Sequence, residues 1–153
     1  MDKLDRRILA ALQRDNLATA QELGDEIGLS ASAVQRRIKR LREEGFVVRD
    51  TAVLDAAALG RHVTVIVDVT VDREAKQVVE SFRRRAEATP AVQQCYYVTG
   101  EADFVLVITA RSMDDYHQIA RRLFLDDPNI KRFRTSVVMD SLKRTLDIPV
   151  RQD

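Results

Sequence analysis

AQELGDEIGLSASAVQRRIKR, residues 20–40, decides how the first third of the chain folds. It reads as two short helices joined by a tight turn. Thr19 and Glu22 form the T-x-x-E pattern of a capping box, so the first of these helices begins near Ala20. Leu23 and Ile27, four apart, share one face. Gly24 is small enough to let a second helix cross closely. Gly28 sits where the chain must turn, and glycine reaches positive φ there without steric cost. Ser30 is a natural N-cap for the next helix, whose buried stripe is Val34, Ile38 and Leu41. Ser32, Ala33, Gln35, Arg36, Lys39 and Arg40 remain outward, with Arg37 at the flank.

That outward face has the chemistry of a groove reader. Five basic side chains fall within seven positions: Arg36, Arg37, Lys39, Arg40 and Arg42. Gln35 can pair bidentately with adenine and arginine with guanine. Ser30 and Ser32 can donate to phosphate beside the free N–H groups of the helix start. The alternative is a solvated charged face, but here caps, glycines and charges agree on a helix-turn-helix. Net charge is only +1, so contact with double-stranded DNA must rest on this local patch.

Outward from this motif, Leu4, Ile8, Ala11 and Leu12 form a helical stripe after the cap candidate Asp2 and complete a small core. Downstream, Gly45 ends the basic helix. The segments 46–48 and 52–54 flank Arg49-Asp50-Thr51 and predict a short β-hairpin, a wing. Arg49 at its tip either touches a phosphate or is an ordinary exposed turn residue. DAAALGR, residues 55–61, reads as a linker or short helical turn.

The pattern then changes. Residues 62–71 alternate, with Val63, Val65, Val67, Val69 and Val71 on one face of a strand. Ala75, Val78, Val79, Phe82 and Ala86 follow at helical spacing, and Pro90 stops that helix. Strands are expected over 92–99 and 103–110, joined by Gly100-Glu101-Ala102. Ser112 and Asp115 form a second capping box, opening a helix with Tyr116, Ile119, Ala120 and Leu123. A final strand covers 130–139 after the turn Asp127-Pro128-Asn129. The order βαββαβ predicts a ferredoxin-like domain in an α+β chain. Its helices cover one sheet face. The other carries Thr64, Ile66, Cys95 or its neighbours, and Val105 or its neighbours, and is too apolar for water, so self-association is expected.

These stretches together resemble the Lrp/AsnC family of transcription regulators. LDRRILAALQRD and ELGDEIGLSASAVQRRIKRLREEGFV are similar to that family's winged helix-turn-helix, AVLDAAALG to its linker, and CYYVTGEADFVLVI with RFRTSVVMDSLKRT to its RAM/ACT-like effector domain. The resemblance implies a DNA-binding domain over 1–54, a linker over 55–61, an effector-binding and oligomerisation domain over 62–141 and a C-terminal tail over 142–153. It implies homodimers that assemble further, commonly as octamers, and an amino acid or related metabolite bound between subunits near the turn of the second and third strands. Carried onto this chain, that turn runs from Tyr97 through Thr99 and Gly100 to Asp103. Asp103 can accept from an α-ammonium, and backbone N–H groups around Gly100 can meet a carboxylate. Thr135 and Ser136 resemble the family's polar pair on the last strand. Gly100 and Asp103 are equally good residues for a tight hairpin, and the domain then serves assembly without a ligand.

The remaining chemistry is sparse. His62 and His117 lack metal-ligand spacing. Cys95, the only cysteine, reads as a packed residue and excludes an internal disulfide. Asp126-Asp127 reads as a solvated turn, and Glu101 with Asp103 lacks a third catalytic group. Neither an enzyme nor a resident metal or cofactor is expected. No apolar run reaches membrane-spanning length, so a cytoplasmic location is expected. The alternative to a DNA-binding regulator is a small-molecule sensor or assembly module without specific DNA binding.

Overall fold

Helices α1 (Lys3–Arg14), α2 (Ala20–Ile27) and α3 (Ala31–Glu43) build the first part of the chain. The structure is a computed structural model, and it describes residues 1–72 and 75–150. Two compact units divide it: Met1–Val53 with the chain from Lys143 on, and Leu54–Leu142.

Each of the three helices starts on a side-chain cap. Thr19 Oγ1 accepts from Glu22 N–H at 3.2 Å, and Glu22 reaches back to Thr19 N–H at 2.7 Å. Ser30 caps α3 through Ala33 N–H. Asp2 caps α1 and Asp5 returns the bond, a second complete capping box. Ile8, Ala11, Leu23, Ile27, Val34 and Leu41 are buried between the helices, with Leu12, Leu29 and Ile38 packed at the margin. Gly24 serves the turn rather than a helix crossing: a Cβ there would lie 2.5 Å from the Leu29 carbonyl oxygen. Arg7 adds a cap that sequence spacing hides, donating to the Ile27 and Glu26 carbonyls at the end of α2. After α3, Gly45 N–H bonds Arg42 O and Phe46 N–H bonds Leu41 O, which is a Schellman motif.

The expected β-hairpin is not formed. Residues 46–54 make no β-ladder. Arg49-Asp50-Thr51 lacks the glycine or asparagine that a tight hairpin turn needs. Asp50 instead pairs with Arg42 at 3.0 Å. Beyond Lys143, the Gln13 side chain exchanges two hydrogen bonds with the Ile148 backbone, at 2.7 and 2.9 Å.

The second unit is β1 (Val63–Val71), α4 (Lys76–Glu87), β2 (Val92–Tyr97), β3 (Phe104–Ala110), α5 (Met113–Ala120) and β4 (Ile130–Val137). The sheet order is β2-β3-β1-β4 with every neighbour antiparallel, as the ferredoxin-like arrangement requires. Val65, Val67 and Val69 of β1 alternate inward, as do Phe104, Leu106 and Ile108 of β3. They share one core with Phe82, Ala86, Tyr116 and Ile119 from the two helices. A π-turn, Arg121–Leu125, continues α5 and lets the consecutive residues Leu123 and Phe124 both reach that core.

Of Cys95 and its neighbours, Tyr96 joins Ile66 and Val105 on the open face, while Cys95 pairs in register with buried Leu106 and packs on the helix-covered face. Two local expectations change. Ser112 caps α5, but Asp115 answers to the Arg111 N–H rather than closing a box. Asp127 is not a solvated turn residue: it pairs with Arg85, and its side chain is only 9% exposed. Burial pushes its carboxyl up, but the Asn129 amides and Arg85 outweigh that and hold it below the ordinary value.

Candidate nucleic-acid interface and effector turn

Because α3 buries Val34 and Leu41 with Ile38 beside them, the opposite side of the helix is set by the 3.6-residue period. Ser32, Gln35, Arg36 and Lys39 lie on it and are exposed. Ala33 is half-buried. The Ser30 and Ser32 hydroxyls stand 3.2 Å apart beside the open N-terminus of α3. Arg36 makes no ion pair among the described residues, and Lys39 makes only a loose one to Glu43 at 3.8 Å. Serine hydroxyls, an amide and two cations on one face offer donors to phosphate and to base edges together.

The flank of α3 is different. Arg37 Nη1 donates to Asp2 and to Asp5, both at 2.7 Å. Arg40 Nη2 donates to the other Asp5 oxygen at 2.6 Å. The Asp5 side chain is 1% exposed, while those of Arg37 and Arg40 are 24% and 46% exposed. Burial pushes the Asp5 carboxyl up, but the Asp2 N–H and the Arg37 guanidinium outweigh it and hold it below its ordinary value. Asp5 N–H and Arg37 bring Asp2 down to about 2. Two of the candidate DNA-contacting arginines thus face carboxylates of α1. Arg49 is exposed, in a segment without a hairpin to aim it.

The second candidate site is the connection between β2 and β3. Its ends are closed by Val98 N–H to Asp103 O and by Asp103 N–H to Val69 O, both 2.9 Å. One Asp103 carboxylate oxygen accepts from Val71 N–H at 2.7 Å. Asp103 is therefore a clasp between the ends of β1 and β3, with only part of its acceptor capacity facing elsewhere. Gly100 has φ +128, and nothing lies within 4 Å of where a Cβ would stand, so its backbone is open to approach. Thr99 is exposed, and the Tyr97 ring lies against Phe104 at 5.2 Å. Thr135 and Ser136 do not form a pair. Thr135 lies opposite buried Val67 and shares a hydrogen bond with the Tyr116 hydroxyl, whereas Ser136 lies opposite Ile66 on the open face. Adjacent strand residues point to opposite sides, so within one chain the two hydroxyls open to different faces of the sheet. Two open depressions of this unit, about 420 and 320 Å³, are lined around Phe124, Pro128 and Phe133 and around Arg61, Arg111 and Arg122. Neither includes a residue of 97–103.

Other chemistry is weak. Among the described residues no three His, Cys, Asp or Glu side chains stand close enough to hold a metal. His62 and His117 are exposed, and the His117 ring lies 6.2 Å from that of Tyr116. Burial and then Glu87 push the Cys95 thiol up, away from the reactive thiolate. No described helix is long and apolar enough to cross a membrane.

Residues 1–48 match the family model for winged helix-turn-helix DNA-binding, and residues 64–148 match that for the Lrp/AsnC ligand binding domain. An uncharacterised helix-turn-helix transcriptional regulator of Sinorhizobium fredii is 43% identical, covering 98% of this chain and 89% of its own. The leucine-responsive regulatory protein of Escherichia coli is 32% identical, covering 95% and 88%. Among solved structures, a Neisseria meningitidis transcriptional regulator in complex with L-methionine superposes with a TM-score of 0.92 at 28% identity, over 97% and 96% of the two chains.

Proposed function

Since the chain belongs to the Lrp/AsnC family of DNA-binding transcription regulators, we propose that it reads a specific duplex sequence through α3 and answers to an amino acid or a related metabolite. The exposed face of Ser32, Gln35, Arg36 and Lys39 carries the first half of this proposal. Ser30 and Ser32 meet phosphate at the helix start, while Gln35 and Arg36 meet base edges. Arg49 contributes at most a phosphate contact.

Effector binding draws support from the family match of residues 64–148 and from the open backbone at Gly100. Tyr97, Thr99 and Gly100 line that turn, and Asp103 offers its remaining acceptor capacity to an ammonium group. The pocket is completed by a second subunit, so the protein works as a homodimer that assembles further. It acts in the cytoplasm. A ligand-free assembly role is favoured by one observation: Asp103 and Thr135 already have partners within the chain.

Two measurements test these proposals. Fluorescence anisotropy over a randomised duplex pool should recover a preferred sequence with salt-dependent affinity. Failure to bind any duplex at low salt rejects DNA reading. A thermal-shift screen across the amino acids, methionine and leucine included, should raise Tm with at least one of them. No shift with any amino acid leaves the second unit an assembly module.

A further inference from the structure

The geometry of α1 against α3 assigns a positioning role to Asp5: we propose that its buried carboxylate withholds Arg37 from DNA and tethers Arg40, leaving Ser32, Gln35, Arg36 and Lys39 to meet the groove. This rests on the DNA-reading function above. Both carboxylate oxygens are committed, Oδ1 to Arg37 and Oδ2 to Arg40 and the Asp2 N–H. Arg37 is held a second time by Asp2. The energetics keep it there. An exposed arginine–phosphate contact is screened by salt. Withdrawing Arg37 strips Oδ1 of its partner on a carboxylate that is 1% exposed and leaves Arg40 as its one cation, which costs more than a screened surface contact returns. Arg40 is intermediate. Nearly half exposed, it has Glu44 at 3.7 Å on its other edge, so a phosphate reaches it without displacing Asp5.

The consequence is a reading head that cancels part of its own charge. Asp2 and Asp5 balance Arg37 and Arg40, and Asp50 faces Arg42. Non-specific duplex affinity scales with the number of cations that neutralise phosphates, whereas discrimination comes from base edges. Neutralised flanking arginines therefore raise the ratio of specific to non-specific binding.

The test uses the full chain and two duplexes: bulk mixed-sequence DNA, and the sequence recovered by selection from a randomised pool. Asp5→Asn leaves Arg37 only its exposed partner Asp2, which phosphate displaces, and should steepen the slope of log K against log salt on bulk DNA by about one, since each freed cation adds roughly 0.9. Discrimination between the two duplexes should fall. Arg37→Met should leave the slope unchanged, while Arg36→Met should flatten it by about one. An unchanged slope in a folded Asp5→Asn protein overturns the inference, as does an Arg37→Met protein that flattens as much as Arg36→Met. If Asp5→Asn does not fold by circular dichroism, the Arg36 and Arg37 comparison decides alone. Loss of all duplex binding in the unaltered chain would instead reject the DNA-reading function itself.

Discussion

A single carboxylate, Asp5, shows how far one residue's meaning depends on tertiary neighbours. In sequence it is one charge in a mixed helix start. In the structure it is the only buried acid among the described residues and the partner of two arginines more than thirty positions away. Asp2 and Asp5 both titrate below their ordinary range in the folded chain. They therefore contribute stability above the unfolded carboxylate value near 3.8, and that stability disappears as pH falls toward about 2. Melting of the first unit, followed by circular dichroism, should stay flat near neutral pH and drop across this acidic window. Asp2→Asn should shrink the drop, and an unchanged profile would show that the pair adds nothing. Gly24 supports a second expectation at this scale. Alanine improves helix propensity by about 1 kcal/mol. Its Cβ would meet a backbone oxygen at 2.5 Å, which cannot swing aside. Overpacking of that kind costs about 1–3 kcal/mol, so Gly24→Ala should lower the urea midpoint. A raised midpoint would mean that the turn around Leu29 gives way easily.

Elements were legible wherever their signals are local. Thr19 with Glu22 and Ser30 each lie within four residues of the groups they satisfy, and both helix starts appear where the spacing puts them. The alternating valines of β1 likewise fix which face is buried. What failed depended on contacts between distant segments or on two-sided geometry. The ion pairs of Arg37 and Arg40 link α3 to α1 and carry no spacing signal. The wing rested on hydrophobic flanks around a turn without turn chemistry. Thr135 and Ser136, a polar pair by resemblance, are separated to opposite faces by the strand that carries them. The cap at Thr19 is the element-scale test. Thr19→Ala removes the acceptor for Glu22 N–H and leaves Glu22 without its reciprocal partner, which should cost about 1 kcal/mol in urea unfolding. A cost near zero would place the stability of α2 wholly in Leu23 and Ile27.

For the whole molecule, the open sheet face is the feature that one chain does not explain. Ile66 and Tyr96 are 40% and 52% exposed, and Val105 and Val107 are only half-buried beside them. Asp68 and Arg134 pair at 2.7 Å on the same face, which adds polar specificity to an apolar centre. Such a surface suits an isologous contact, in which the same patch on two copies meets itself. In the proposed homodimer, a two-fold pair of α3 helices would fit a pseudo-palindromic duplex. Ile66→Lys would put an unpaired cation from each copy into that apolar contact. Light scattering coupled to size exclusion should show the unaltered chain as a dimer or a larger assembly, and the Ile66→Lys chain as a monomer. Its affinity for a full site should fall to that for a half-site, while helical content stays the same. If the variant keeps its mass, the copies meet elsewhere and the open face needs another occupant. If it becomes a monomer yet binds the full site unchanged, one reading head is sufficient and two-fold pairing adds nothing to recognition.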